Sequence, residues 1–446
     1  MLLSIEKLIY GGDGLARTAA GLDGRALDGR ALTVFVPFVL PTERVEVEIR
    51  QEKPGLARGS VTRLIEASAD RVEARCPYFR RCGGCHYQHI SYPRQVEYKA
   101  AILRETLQRI AKIELKSEIR IHASPPWNYR NRTRLQVRSS PFALGYFRFG
   151  SQEFLAVREC PISSPLINLV VTRLLELDGL NCPAAVEEME LFAGAEDGHL
   201  LASAFCGREA DTRDLLRWAE AIARDVPEIC GVTFFSSRRR VRDDEMPELK
   251  VLARTGATAI RYRLRDREKN HEYHVSAGAF FQVNRYLIDE LVSAVTGDAR
   301  GEVALDLYAG VGLFSAILAE NFRHIFNVEA SQTAHGDCVQ NVPANVKAIA
   351  ARTEDYLRNE CLKSRRVRIR PDLVVLDPPR SGAGKGVLRS LVELAVRRIR
   401  YVSCDPATLS RDIAPLLAAG YHIEETHLFD LFPETFHIET VMLLAR

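Results

Sequence analysis

The chain has 446 residues, 46% of them hydrophobic, and a formal net charge of +3. Such a length predicts an α/β multidomain protein of two or three cores, while so small a net charge neither demands nor excludes a nucleic-acid partner. The amino terminus Met1-Leu2-Leu3-Ser4-Ile5-Glu6-Lys7 lacks an export pattern, no apolar run is long enough for a bilayer, and ten cysteines are too sparse for a disulfide scaffold. A cytoplasmic protein with reduced thiols and no membrane partner is expected.

From Leu2 to Ile65, short apolar runs (Leu2 to Ile9, Leu32 to Val36, Val45 to Ile49, Val61 to Ile65) are broken by turn residues such as Gly11-Gly12-Asp13-Gly14. This spacing predicts a small β-barrel over residues 1–68, a shape that holds oligonucleotides or simply packs on a neighbour. The duplication Gly24-Arg25-Ala26-Leu27-Asp28-Gly29-Arg30-Ala31-Leu32 reads as a lengthened hairpin loop.

A second region, 69–275, opens on Cys76-Pro77-Tyr78-Phe79-Arg80-Arg81-Cys82-Gly83-Gly84-Cys85. Thiolates so close can converge on one soft metal centre, and Gly83-Gly84 allow the tight turn this needs. A fourth sulfur is wanted, and Cys160, in Arg158-Glu159-Cys160-Pro161 after the strand-like Phe154 to Val157, is the nearest later candidate. Zinc and a [4Fe–4S] cluster both accept four cysteines, and spacing does not choose between them. The stripe Val96, Ala100, Leu103, Leu107, Ile110 predicts a helix over Pro93 to Ile113. Arg130, Arg132, Arg134 and Arg138 alternate with other side chains before and into a strand, so they predict a basic face; Tyr146, Phe147 and Phe149 add rings suited to stacking on unpaired bases. A solvated strand face would carry the same pattern. The stretch Ile167 to Arg267 reads as scaffold.

The last region, 276–446, predicts a Rossmann-like domain. Phe280-Phe281-Gln282-Val283-Asn284 precedes a helix from Tyr286 to Val295, and the strand Val303 to Leu307 runs into Tyr308-Ala309-Gly310-Val311-Gly312 and then a helix, Phe314 to Glu320. Gly310 and Gly312 let backbone approach a nucleotide-like ligand, and the strand Ile325 to Val328 ends on Glu329, about twenty residues downstream, where an acid grips ribose hydroxyls. No Gly-Lys-Ser/Thr follows, so a P-loop is excluded. The strand Leu373 to Leu376 delivers Asp377-Pro378-Pro379-Arg380, whose prolines stiffen the turn behind the carboxylate. Ile399 to Val402 ends at Ser403-Cys404-Asp405-Pro406, placing Cys404 where open α/β sheets keep a nucleophile. Glu439 interrupts an apolar terminal strand; a buried carboxylate there is costly unless paired with an arginine or used as a proton acceptor.

These pieces in this order resemble the bacterial RNA uracil-5-methyltransferases that use S-adenosylmethionine, carry an iron–sulfur cluster and begin with a TRAM-type barrel. The resemblance rests on Tyr10 to Gly14 with Phe35-Val36-Pro37, the quartet Cys76, Cys82, Cys85 and Cys160, Phe281 to Asn284, Asp306 to Gly312, Asp377 to Arg380, Ser403 to Pro406 and Phe432-Pro433 to Glu439. It implies that the four cysteines hold a [4Fe–4S] cluster in a central α+β domain, that Gln282, Tyr308, Glu329 and Asp377 contact S-adenosylmethionine, and that Cys404 is the nucleophile and Glu439 the base. The chain departs from the pattern at Leu313, where some relatives have Asn, and at Asn341-Val342-Pro343-Ala344-Asn345, whose proline should stop a helix. Carbon 5 of uracil is too weak a nucleophile unaided, which is why the chemistry needs both a thiolate and a base. A monomer acting on a uridine of 23S ribosomal RNA is the preferred expectation. A tRNA enzyme of the same chemistry is the second, and a non-catalytic iron–sulfur RNA-binding protein is the alternative from another class.

Overall fold

The computed structural model describes residues 1–18, 32–236, 249–266, 269–362 and 370–446. The duplication at 24–31 lies outside the described residues. The chain forms two compact units. One comprises Met1–Glu105, Phe147–Leu155 and Phe432–Ile438, and the other Thr106–Tyr146, Ala156–Leu431 and Glu439–Arg446. No helix among the described residues is long and apolar enough to cross a membrane.

The first unit starts with a six-stranded sheet built from Leu2–Ser4, Lys7–Leu8, Asp13–Thr18, Leu32–Pro37, Arg44–Lys53 and Leu56–Glu66. Alternate residues Leu32, Val34 and Val36 point inward and pack with Leu3, Ile5, Val45 and Val47, as a period of two requires. Buried Glu43 would be costly alone; it accepts from the Leu40 amide and pairs with the Arg71 guanidinium at 2.5 Å. The following helix, Tyr92–Thr106, ends sooner than the apolar stripe predicts. Leu107–Ala111 form a wider π turn, closed by Lys112 in the left-handed region at φ 59°.

The second unit holds two larger sheets and a hairpin of Ala259–Asp266 with Lys269–Ser276. A seven-stranded sheet is centred on Arg132–Ser139, Val186–Ala193 and Leu200–Cys206. It gives two members of the arginine stripe acidic neighbours that the sequence does not reveal. Arg132 and Arg134 do share a face, but the neighbouring strand sets Glu188 and Glu190 beside them. Arg134 lies 3.4 Å from Glu188 and 3.7 Å from Glu190, and the two guanidiniums cover the Phe192 and Phe205 rings at 3.9 and 3.8 Å. Their charge is largely spent within the fold. Phe149 likewise packs against Phe38, with ring centroids 4.7 Å apart, rather than standing free for a base.

The eight-stranded sheet carries the residues of interest. Its strands in chain order are β1 (Ile119–His122), β2 (Gly301–Leu307), β3 (Phe322–Glu329), β4 (Val346–Ala350), β5 (Leu373–Leu376), β6 (Arg398–Ser403), β7 (His422–Phe429) and β8 (Glu439–Ala445). They lie in the order β4-β3-β2-β5-β6-β8-β7-β1. From β4 to β6 all pairs are parallel; β8 is antiparallel to both β6 and β7, and β1 is parallel to β7. Helices α1 (Ile288–Thr296), α2 (Leu313–Leu318), α3 (Gln332–Asn341), α4 (Lys385–Glu393) and α5 (Pro406–Ala418) accompany it. Because the chain leaves β2 toward β3 and later returns beside β2 with β5, the order reverses there, and an open α/β sheet binds ligands at such a crevice. The proline at 343 acts as expected: α3 stops at Asn341, whose side chain donates to the His274 and Val311 carbonyls.

Candidate active site

All the candidate residues of the last region except Gln282 follow from one edge of the eight-stranded sheet. Asp306 and Tyr308 come from the end of β2, Glu329 from β3, Asp377 from the turn after β5, Cys404 from the turn after β6 and Glu439 from the start of β8. Since β8 runs antiparallel, its first residue lies at the edge where the parallel strands end. The register pairs Val402 with Val441 and Ser403 with Thr440, so the next step sets Cys404 opposite Glu439. Cys404 is followed by a firm stop: the Asp405 side chain accepts from the Ala407 and Thr408 amides at 2.9 and 2.8 Å and caps α5, with Pro406 in its first turn.

The Gly-x-Gly turn is shaped by two different needs. Gly310, at φ 55°, has open space where a side chain would begin, so a ligand can approach its backbone. Gly312, at φ 84°, is a packing glycine, because a Cβ there would press on Val342 at 2.9 Å and Cys338 at 3.0 Å. Glu329 is 8% exposed and accepts from the Gly310 amide at 2.8 Å and the Ser331 amide at 2.6 Å. Those two bonds leave carboxylate lone pairs to spare for hydroxyl donors. Tyr308 is held in the left-handed region at φ 62°, and its hydroxyl donates to the Ala383 carbonyl. The Ala383 amide in turn donates to Asp412, which also accepts from the Tyr401 hydroxyl at 2.7 Å. Gln282 is buried at 7% exposure, and its carbonyl accepts from Asn131. These groups fit a ligand with ribose hydroxyls lying against the turn.

Electrostatically the site is a nest of carboxyls in which full ionisation is unfavourable. Asp306 is fully buried; burial, opposed by its bond from Ser315, lifts it to about 7. Asp377 keeps some exposed surface but sits deep enough that desolvation, then Asp306 and Glu329, lift it to about 7. Glu439 is raised well above the usual carboxylate range by burial and then Asp377, with Arg380 opposing. Burial followed by Glu439 and Asp377 pushes the Cys404 thiol up to about 12, and Arg380 again pulls the other way. A thiol, a proton-hungry carboxyl and one cation therefore act on each other within a water-poor edge. Arg380 had no role in the sequence reading. Its place in the run after Asp377 is visible in the chain, but its reach toward Cys404 and Glu439 depends on β6 and β8 pairing.

The cysteine quartet gives a different result. Cys76, Cys82, Cys85 and Cys160 are all half-exposed, the first three in one unit and the fourth in the other. The Gly84 amide donates to Cys82 Sγ at 3.4 Å and the Gly83 amide to the Phe147 carbonyl, giving the tight turn the glycines predict. Among the described residues no group of three or more His, Cys, Asp or Glu side chains is placed to hold a metal ion.

Residues 255–446 match the tRNA (uracil-5-)-methyltransferase family. A 23S rRNA (uracil(1939)-C(5))-methyltransferase of Halomonas elongata is 32% identical, covering 100% of this chain and 89% of its own. An uncharacterized RNA methyltransferase of Caldanaerobacter subterraneus is 31% identical over 96% of this chain and 97% of its own. The crystal structure of a Pyrococcus abyssi tRNA (uracil-54, C5)-methyltransferase with S-adenosyl-L-homocysteine shares the fold, with a TM-score of 0.73, 24% identity and 99% of both chains covered.

Proposed function

Since the chain belongs to the S-adenosylmethionine-dependent RNA (uracil-5-)-methyltransferase family, we propose that Cys404 and Glu439 are its nucleophile and base, acting on a uridine of 23S ribosomal RNA. The observation that carries this reading is the pairing of β6 with β8, which ends with Ser403 opposite Thr440 and leaves Cys404 and Glu439 as the next residues, near enough for Glu439 to raise the thiol. The Cys404 thiolate forms a bond to carbon 6 of a flipped-out uracil, and the electron pair of the 5,6 double bond moves to give an enolate. S-adenosylmethionine supplies an electrophilic methyl group on a sulfonium. Carbon 5 takes that methyl as the sulfur–methyl bond breaks and its electron pair stays on sulfur. Glu439 then accepts the carbon 5 proton, the double bond re-forms and the thiolate leaves from carbon 6. Arg380 favours the thiolate and the ionised Glu439.

Gln282, Tyr308, Gly310, Glu329 and Asp377 are assigned to the methyl donor, with Glu329 on the ribose, Gly310 beside the ligand and Gly312 serving the same site by packing the turn behind it. Asp377 serves the donor or the uracil edge. The six-stranded sheet is assigned as a TRAM-type barrel that holds RNA, within a three-part layout of 1–68, 69–275 and 276–446, in a cytoplasmic monomer. Cys76, Cys82, Cys85 and Cys160 are assigned to a [4Fe–4S] cluster, on their spacing and the Gly83-Gly84 turn. Iron and sulfide analysis of anaerobically purified protein, with its visible spectrum, tests that assignment, and stoichiometric zinc would overturn it.

Ribosomal RNA is preferred because the full-length relative with the stated 23S specificity is 32% identical. The Pyrococcus protein keeps tRNA as the second reading through likeness of fold. Tritium release from carbon-5-labelled uridine in purified 23S rRNA and tRNA, followed by mapping of the product, separates the two. Release from tRNA alone would replace the first reading by the second.

A further inference from the structure

At the far edge of the eight-stranded sheet, His122 ends β1 and His427 lies on β7. Their rings are nearly coplanar, tilted by 19° with centroids 5.2 Å apart, and His122 Nε2 is 3.0 Å from His427 Nδ1. The outer nitrogen of each ring meets a carboxylate. His122 Nδ1 is 3.0 Å from Glu290 of α1, and His427 Nε2 is 3.0 Å from Glu425. The row Glu290, His122, His427, Glu425 thus contains three contacts, and each needs one proton. Two neutral imidazoles carry two, and ionised carboxylates carry none. In a neutral pair, one contact must set a ring lone pair against another lone pair or against an anion. A metal ion does not resolve this, since an in-line separation of 3.0 Å leaves about 1.5 Å on each side, short of the roughly 2.0 Å of a metal–imidazole bond.

We infer that His122 and His427 share one extra proton as a single cation between Glu290 and Glu425, and that this cation holds the strand pairing on which Glu439 is seated. The second half rests on the reading of Glu439 as base; the first does not. The link to the site is a short chain of contacts. The His122 ring stacks on Phe429 at 3.9 Å and 5°, and Phe429 is the cross-strand partner of Glu439 in the β7–β8 ladder. A cationic ring over an aromatic face is favourable, and a neutral pair loses that attraction as well as one hydrogen bond.

The surroundings suit a single charge. From β1, Arg120 pairs with Glu425 at 2.7 Å; from β6, Arg400 feels Glu425; and α1 supplies Glu290. Burial pushes His427 below the ordinary histidine value, with Glu425 opposing and His122 and Arg120 adding to the fall, so it is the in-line geometry and the two flanking carboxylates that argue for the shared proton.

The test uses the full-length protein labelled with 15N-histidine. The expected result is that two ring systems titrate together in one shared step, and that both signals leave that step in His427→Gln and in His122→Asn. Independent titration of the two rings would overturn the shared proton. If either variant does not fold, Glu290→Gln serves, and its shared transition moves to lower pH. In parallel, His427→Gln is expected to lower kcat about tenfold with KM for the methyl donor unchanged, and to change the pH profile of kcat. An unchanged pH profile would sink the positioning role alone. Should Glu439→Gln prove fully active, the base assignment fails while the coupled titration stands.

Discussion

The carboxyl groups of Asp377 and Glu439, one beyond a parallel strand and the other opening an antiparallel one, lie close enough for Asp377 to raise the proton affinity of Glu439. A carboxyl so placed takes up a proton readily and gives it back reluctantly. Glu439→Gln should therefore allow attack and methyl transfer but stall before the thiol leaves. The expected outcome is a covalent protein–RNA species on denaturing gels, with turnover down about 10²–10⁴-fold. Rapid turnover without that species would point to another base.

Burial and its acidic neighbours raise the Cys404 thiol to about 12, so little of it ionises at neutral pH. Below that value each unit of pH gives roughly ten times more thiolate. Alkylation of Cys404 by iodoacetamide should climb with this slope between pH 7 and 9. Arg380 opposes the rise, so Arg380→Met should slow alkylation by about two- to tenfold, an effect moderated by the exposure of the guanidinium. Equal rates in the two proteins would remove Arg380 from the site's electrostatics.

Asp306 gives the pH dependence a definite sign. Its folded carboxyl titrates at about 7 against an ordinary 3.8, so the native state binds the extra proton between those values and stability falls as pH rises through that window. Asp306→Asn keeps an oxygen for the Ser315 hydroxyl and cannot ionise. Thermal melts should show the variant gaining over the wild type at pH 8 and the gain shrinking toward pH 5. A gain independent of pH would contradict the shift.

The two glycines should fail differently. Gly312→Ala must displace Val342 and Cys338, so its melting temperature should drop. Gly310→Ala meets nothing, although its positive φ costs about 1 kcal/mol. Calorimetry with S-adenosylhomocysteine should find its affinity reduced at least tenfold with a much smaller change in melting temperature. Undiminished affinity would place the ligand elsewhere.

Much of the site was legible in the chain because its residues follow strand ends, and strand ends are marked by apolar runs stopping on polar turns. Leu373 to Leu376 was read to the residue, and the run before Cys404 to within one residue at each end. What could not be read was pairing at a distance. Nothing local says that β8 slots between β6 and β7, so the meeting of Cys404 with Glu439 was an expectation of chemistry and resemblance, and the effect of Arg380 on both was missed. The acidic neighbours of the arginine stripe were hidden for the same reason: its alternation is local, but Glu188 and Glu190 come from a strand some fifty residues later. The π turn at Leu107–Ala111 broke a stripe whose apolar spacing carried no sign of it.

The eighth strand has a practical consequence. Ile119–His122 lie far upstream of residue 255, where the family match begins, yet they line the outer side of β7. A fragment trimmed to the carboxyl-terminal half would leave the backbone groups of β7 unsatisfied along that flank, with an exposed template for another chain to join. Such a truncation should self-associate or precipitate even with every reacting side chain present, and supplying residues 106–130 in trans should restore its solubility.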